Sequence, residues 1–196
     1  MRKTEIRIKG ISVFLFIKQE IGERNLKEEN RIHGMPPVIP ENPQILILGS
    51  IPGIQSLEKQ QYYGNSRNHF WPIMFHIFDE PIIDDYESRI IWIKQKKIAL
   101  WDTIGSCIRP GSLDSKITEE QPNDIISLLK QYESIRRIIC NGGKSYDVFK
   151  KYIGLQEGLH FTDVVKLPST SPVPGRYTKT FEEKCVIWGN AILLND

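Results

Sequence analysis

One stretch gathers most of the residues able to do chemistry. "LGSIPGIQSLEKQQYYGNSRNHFW", Leu48 to Trp71, follows an aliphatic run and opens with Gly-Ser-Ile-Pro-Gly. It ends in two tyrosines, two asparagines, a histidine and an aromatic pair. Gly49-Ser50 ends an expected strand, and Pro52-Gly53 enforces a sharp turn. The amides around Ser50, Ile51, Pro52 and Gly53 can then face a crevice, where they suit a carbonyl oxygen or a developing anion. Tyr62 and Tyr63 offer rings for stacking on a planar base, at roughly 1–3 kcal/mol per base. Asn68 sits just before a helix and can hold a water or a base edge through its amide. Each of these features also has a plainer reading: Asn before a helix is commonly an N-cap, and Pro-Gly is commonly only a turn.

A second stretch, "LPSTSPVPGRYT" (Leu167 to Thr178), places Ser169, Thr170 and Ser171 at a strand end, where hydroxyls can bond phosphates without sequence preference. Val173 lies between two prolines, and a stiff apolar tip of this kind can wedge into a base stack. Lys166, Arg176 and Lys179 would supply local positive charge. The alternative is a proline-stiffened surface loop.

Other motifs fail. "NGGKS" (141–145) lacks the glycine a phosphate loop needs ahead of its Gly-Lys pair with four residues between, where Ile138 stands. No GxSxG elbow and no HxE with PCxxC occurs. His33, His69, His76 and His160 have no metal-ligand spacing among them. Cys107, Cys140 and Cys185 are scattered and odd in number, which argues against a disulfide framework and for a reduced, intracellular setting. Net charge is +2 over 196 residues, so nucleic-acid binding would depend on a local patch rather than on the field of the whole molecule. "GISVFLFI" (Gly10 to Ile17) is too short to span a bilayer, and Lys18-Gln19-Glu20 stands where a signal cleavage site would be; a strand or a start-site extension fits better.

The elements that must position these residues follow from aliphatic periodicity. "QILILG" (44–49), "KIALW" (97–101), "IRRIIC" (135–140) and "DVVKLP" (163–168) read as buried parallel strands with helices between them: an α/β fold with a four-stranded parallel sheet covered on both faces. Helices are expected after Asn68, over Tyr86 to Gln95, from Pro122, over about Lys144 to Tyr152, and after the capping box Thr180-x-x-Glu183. Residues 1–32 are charge-rich and stand outside the alternation as an extension; 33–196 form the domain. Ligands of such sheets bind beyond the carboxyl ends of the strands, which points to Gly49–Asn68, Asp102–Ile117, Asn141–Ser145 and Pro168–Thr178. Roles within Asp102–Ile117 stay open, with Asp102 and Asp114 as charges in crevice loops.

Taken together, "LILGSIPGIQSLEKQQYYGNSRNHFW", "ALWDTIGSCIRPGSLDSKI", "CNGGKS" and "LPSTSPVPGRYT" resemble the uracil-DNA glycosylase superfamily, and within it the hypoxanthine-DNA glycosylase (DNA-deoxyinosine glycosylase) branch. The resemblance runs from about Arg31 to the C-terminus. It implies a three-layer α/β/α sandwich, base flipping, and hydrolysis of the N-glycosidic bond of damaged DNA without metal or cofactor; a monomer is expected. Most of the superfamily carries Asp or Asn third in the first motif, to position the attacking water; here that residue is Ile51. The resemblance then implies Asn68 as the catalytic asparagine, with Asn65 as rival. Tyr63 is implied as the stacking aromatic, Ser169 as base- or phosphate-facing, and Val173 as near the wedge. Uracil as the substrate, a binding module that has lost catalysis, and an unrelated nucleotide-binding α/β domain are the competing readings.

Overall fold

The structure, a computed structural model, describes residues 31–154, 163–173 and 178–193. Its elements are β1 (Arg31–His33), β2 (Ile45–Gly49), α1 (Ile54–Lys59), α2 (Phe70–Ile77), α3 (Tyr86–Gln95), β3 (Ile98–Asp102), β4 (Ile104–Ile108), β5 (Thr118–Pro122), α4 (Ile125–Gln131), β6 (Arg137–Asn141), α5 (Gly143–Tyr152), β7 (Asp163–Leu167) and α6 (Phe181–Leu193). The Gly10–Ile17 run and Arg176 lie outside the described residues.

The four aliphatic runs become one parallel sheet in the order β3-β2-β6-β7. Side chains alternate across a strand. Ile45, Ile47, Ile98, Leu100, Ile139 and Leu167 therefore pack on one face, with α2, α3 and α6 residues such as Ile73, Trp92 and Trp188. Leu46, Leu48, Ala99, Ile138 and Cys140 pack on the other, with Ile125, Leu128 and Leu129 of α4 and Phe149 of α5. Both faces need apolar residues, so the strands read as continuous hydrophobic runs. The result is a three-layer α/β/α sandwich.

Local chemistry sets the helix ends. The capping box before α6 forms reciprocally: Thr180 N donates to Glu183 Oε2 at 2.8 Å, and Glu183 N to Thr180 Oγ1 at 3.2 Å. The expected helix start at Pro122 is corrected. Pro122 closes β5, a position where a strand tolerates proline, and α4 begins at Ile125 behind Asp124, whose carboxylate accepts from Ser127 N at 3.0 Å.

A second, three-stranded antiparallel sheet, β1-β4-β5, was not expected. β5 is "TEEQP", polar throughout and largely exposed, so no alternation marks it. β4 leaves β3 through Thr103, whose N–H donates to Gly49 O at 2.9 Å; Ile104 N donates to Ser50 O, also at 2.9 Å. The second sheet thus clamps the carboxyl end of β2, where the first motif begins.

Candidate active site

A cleft of about 870 Å³ opens at the carboxyl edge of the parallel sheet. Ser50, Ile51, Pro52, Gly53, Tyr63, Asn68, Ser169, Thr170, Ser171 and Val173 all line it, while the expected cations Lys166 and Lys179 do not. Their individual geometries separate them.

Asn68 is fixed by its surroundings. Its Oδ1 accepts from Phe70 N at 3.0 Å in the turn before α2, whose N-cap is His69 and carries no side-chain cap bond, while its Nδ2 has no partner among the described residues. His69 N donates to Thr170 O at 3.0 Å, tying this turn to the second motif. That bond leaves the amide available: one lone pair of Oδ1 is used, and Nδ2 remains on a residue that lines the cleft. Asn65 makes an Asx turn instead, its Oδ1 accepting from Arg67 N at 2.9 Å.

Tyr63 takes φ +57°, a left-handed conformation that costs a bulky residue on the order of 1–3 kcal/mol. Two contacts hold it there. One ring face stacks on Phe70 with centroids 3.7 Å apart, and its hydroxyl accepts from Asn141 Nδ2 at 3.3 Å. Tyr62 differs. It is buried, its hydroxyl donates toward Met35 O and Pro36 O at 3.3 and 3.2 Å, and its backbone carbonyl accepts from Trp71 Nε1. The expectation that Tyr62 stacks on a base is corrected: its ring belongs to the core.

The first motif presents backbone rather than side chains. Ile51 is buried against Ile104, Cys107 and Val148, and the Ser50 hydroxyl donates to the Asp114 carboxylate at 2.9 and 3.0 Å. The N–H groups of Ile51 and Gly53 have no partner among the described residues. Arg109, unnoticed in the sequence, pins this loop from below: it is 4 % exposed, and its Nη2 donates to Pro52 O at 2.6 Å and its Nε to Gly111 O at 3.0 Å.

In the second motif, Thr170 is corrected as a phosphate ligand. It is fully buried, its N–H donates to Asn141 Oδ1 at 2.9 Å and its Oγ1 accepts from Asn141 Nδ2 at 2.9 Å. Ser169 and Ser171 remain accessible to solvent. Asn141 is the hinge of the site, joining Tyr63 to Thr170. The next residue, Gly142, has φ +102°, and a Cβ there would lie 3.1 Å from Ser169 Cβ. Of the expected cations, Lys179 pairs with Glu183 at 2.9 Å and Lys166 lies over the Tyr146 ring. Arg67, not anticipated, is exposed on the cleft wall.

Asp102 is the buried charge of the cleft. It is 5 % exposed, and its Oδ2 has no hydrogen-bond partner. Burial pushes its carboxyl up to about 7, and the Asp114 carboxylate adds to this; Arg109 and the adjacent Tyr62 hydroxyl pull the other way. The native state then holds a proton that the unfolded chain, titrating near 3.8, releases. Stability falls as pH rises between those values and levels off above about 7. The expected result is that Asp102→Asn gains melting temperature over the unsubstituted protein as pH rises from 5 to 7, with the gap constant above. A gap independent of pH contradicts the assignment.

The sheet and its carboxyl-edge cleft place the chain in the α/β class that binds ligands beyond the strand ends. The family model "Uracil DNA glycosylase superfamily" matches residues 36–190, and the chain belongs to that superfamily. It is 40% identical over 152 residues to a hypoxanthine DNA glycosylase of Methanosarcina acetivorans, an alignment covering 77% of this chain and 93% of that one. A Methanosarcina barkeri protein of the same description is 41% identical over 113 residues, covering 57% of this chain and 72% of that one. The solution NMR structure of a Methanosarcina acetivorans protein assigned provisionally as a uracil DNA glycosylase superposes with a TM-score of 0.68 at 36% identity, covering 83% of this chain and 99% of that one. No described helix is long and apolar enough to cross a membrane.

Proposed function

We propose that the protein is a monofunctional DNA glycosylase that extrudes a deaminated base, hypoxanthine above others, and removes it by hydrolysis. The observation that carries this is Asn68 in one cleft with Tyr63 and with the N–H groups of Ile51 and Gly53, its amide donors and these N–H groups having no partner among the described residues. The name of the Methanosarcina acetivorans relative, matched over nearly its whole length, supports hypoxanthine as the base.

The extruded base lies against Tyr63, and the N–H groups of Ile51 and Gly53 bond its carbonyl edge. Asn68 holds the water. A neutral amide is a poor base, which suits a dissociative step in which the C–N bond breaks ahead of attack. The N–H groups, fixed before reaction, stabilise charge gathering on the base. Ser169 and Ser171 bond the backbone phosphates, and Arg67 and Arg176 add positive charge. The partner is damaged DNA, met by a monomer inside the cell, and the domain includes β1 from Arg31, which pairs with β4.

Val173 is 45 % exposed at the cleft rim and serves as the wedge. Val173→Gly is expected to slow excision from paired DNA more than from single strands. Equal losses in both contradict the wedge. Uracil is the second reading, favoured by the description of the structural neighbour. Single-turnover cleavage of duplexes bearing one deoxyinosine, one deoxyuridine or no lesion, followed by alkali, separates the two. Faster cleavage at deoxyinosine supports hypoxanthine, cleavage at deoxyuridine alone supports uracil, and cleavage at neither removes the glycosylase reading.

A further inference from the structure

We propose that Asp102 is a catalytic residue that gives a proton to the departing purine. The inference rests on the glycosylase reading and adds a reacting group to it.

The Asp102 carboxyl stands at the end of β3 on the cleft wall. A buried carboxyl oxygen is normally hydrogen-bonded, because leaving it bare is costly. Oδ2 of Asp102 is buried and bare. Its seat is nonetheless firmly made: the Asp102 carbonyl accepts from Asn123 Nδ2 at 2.8 Å, and Oδ1 lies so close over Gly49 that a Cβ on that glycine would stand 2.3 Å away. A carboxyl packed over Gly49 on an anchored backbone, with Oδ2 unpaired and its residue on the cleft wall, is placed to meet a base that enters the cleft.

Three groups face it. Asp114, held by the Ser50 hydroxyl, approaches from the turn after β4, Arg109 from the end of β4, and the Tyr62 hydroxyl from the segment between α1 and α2. Burial and Asp114 outweigh Arg109 and Tyr62, so the carboxyl exchanges its proton near neutrality, where a general acid works best.

The C1′–N9 bond of the nucleotide breaks and its electron pair passes into the base. The O–H bond of Asp102 breaks and an N–H bond forms at N7, so hypoxanthine leaves neutral. The water held by Asn68 forms the O–C1′ bond, and the proton it loses returns through solvent to the Asp102 carboxylate. One water is consumed. Uracil in its lactam form has no ring nitrogen with a free lone pair, so it gains less from this acid.

The test uses the full chain and measures single-turnover excision from deoxyinosine and deoxyuridine duplexes at pH 5.5 to 9, for the unsubstituted protein and Asp102→Asn. Asparagine keeps the size and can donate a hydrogen bond but cannot transfer the proton. The unsubstituted protein is expected to lose rate on deoxyinosine by about tenfold per pH unit once Asp102 is ionised. Asp102→Asn is expected to be about 10²-fold slower at pH 6, insensitive to pH, and less affected on deoxyuridine. Full rate in Asp102→Asn, a retained pH-dependent limb, or equal losses on both bases each overturn the proposal. Melting curves of the variant separate a folding failure from a chemical one, and Asp102→Glu, which restores a transferable proton, should recover the pH-dependent limb if the acid is what matters. Inactivity of the unsubstituted protein on deoxyinosine at every pH overturns the glycosylase reading and takes this proposal with it.

Discussion

Asn68→Ala is expected to lose about 10²-fold or more in single-turnover excision while duplex binding persists. The two functions of the side chain make the alanine variant ambiguous by itself. Oδ1 accepts from Phe70 N in the turn before α2, so alanine also loses a hydrogen bond, about 1 kcal/mol of stability. Asn68→Ser separates the effects, since a serine hydroxyl can accept the same bond and lacks the amide. Serine should restore the melting temperature and leave the rate as low as in the alanine variant. If serine restores the rate, the amide does not hold the water, and Asn68 serves only the turn before α2.

Gly49→Ala is the second large effect. Gly49 is the buried last residue of β2, in register with Asp102 of β3. An added Cβ would stand 2.3 Å from Asp102 Oδ1, far inside contact distance. Either Asp102 leaves its seat or the two strands part. Overpacking of this kind costs about 1–3 kcal/mol. The cost should be specific to the carboxyl: in an Asp102→Ala background the same substitution should be nearly free, giving a coupling of comparable size in a double-mutant cycle. Additive effects measured by chemical denaturation contradict this packing account. Excision should fall along with stability, because the displaced carboxyl takes the cleft wall with it.

These two residues illustrate what the sequence makes legible. Gly49 and Asn68 stand in a stretch whose composition is odd for either core or loop, and the aliphatic run before Gly49 places both at a strand end. The four parallel strands are legible because burial on both faces leaves no polar residue to blur Ile45–Leu48 or Ile138–Cys140. The capping box at Thr180 and Glu183 is legible because it is local. Arg109, Asn141 and the bare oxygen of Asp102 are different. Arg109 bonds Pro52, and Asn141 bonds Thr170, across separations of 57 and 29 residues. No local pattern encodes such a pairing. Thr170 shows the same limit in reverse. Its neighbours Ser169 and Ser171 face solvent, and only the chain reversal that brings Asn141 alongside turns the threonine inward. The β1-β4-β5 sheet is hidden because Thr118–Pro122 lies on an exposed edge where side-chain polarity is unconstrained.

The most direct measurement is identification of the products from a deoxyinosine duplex in ¹⁸O-labelled water by mass spectrometry, before any alkali. The account predicts free hypoxanthine without label and an intact strand carrying one abasic site with the label at C1′. A strand already nicked at the lesion, or hypoxanthine never released, contradicts it.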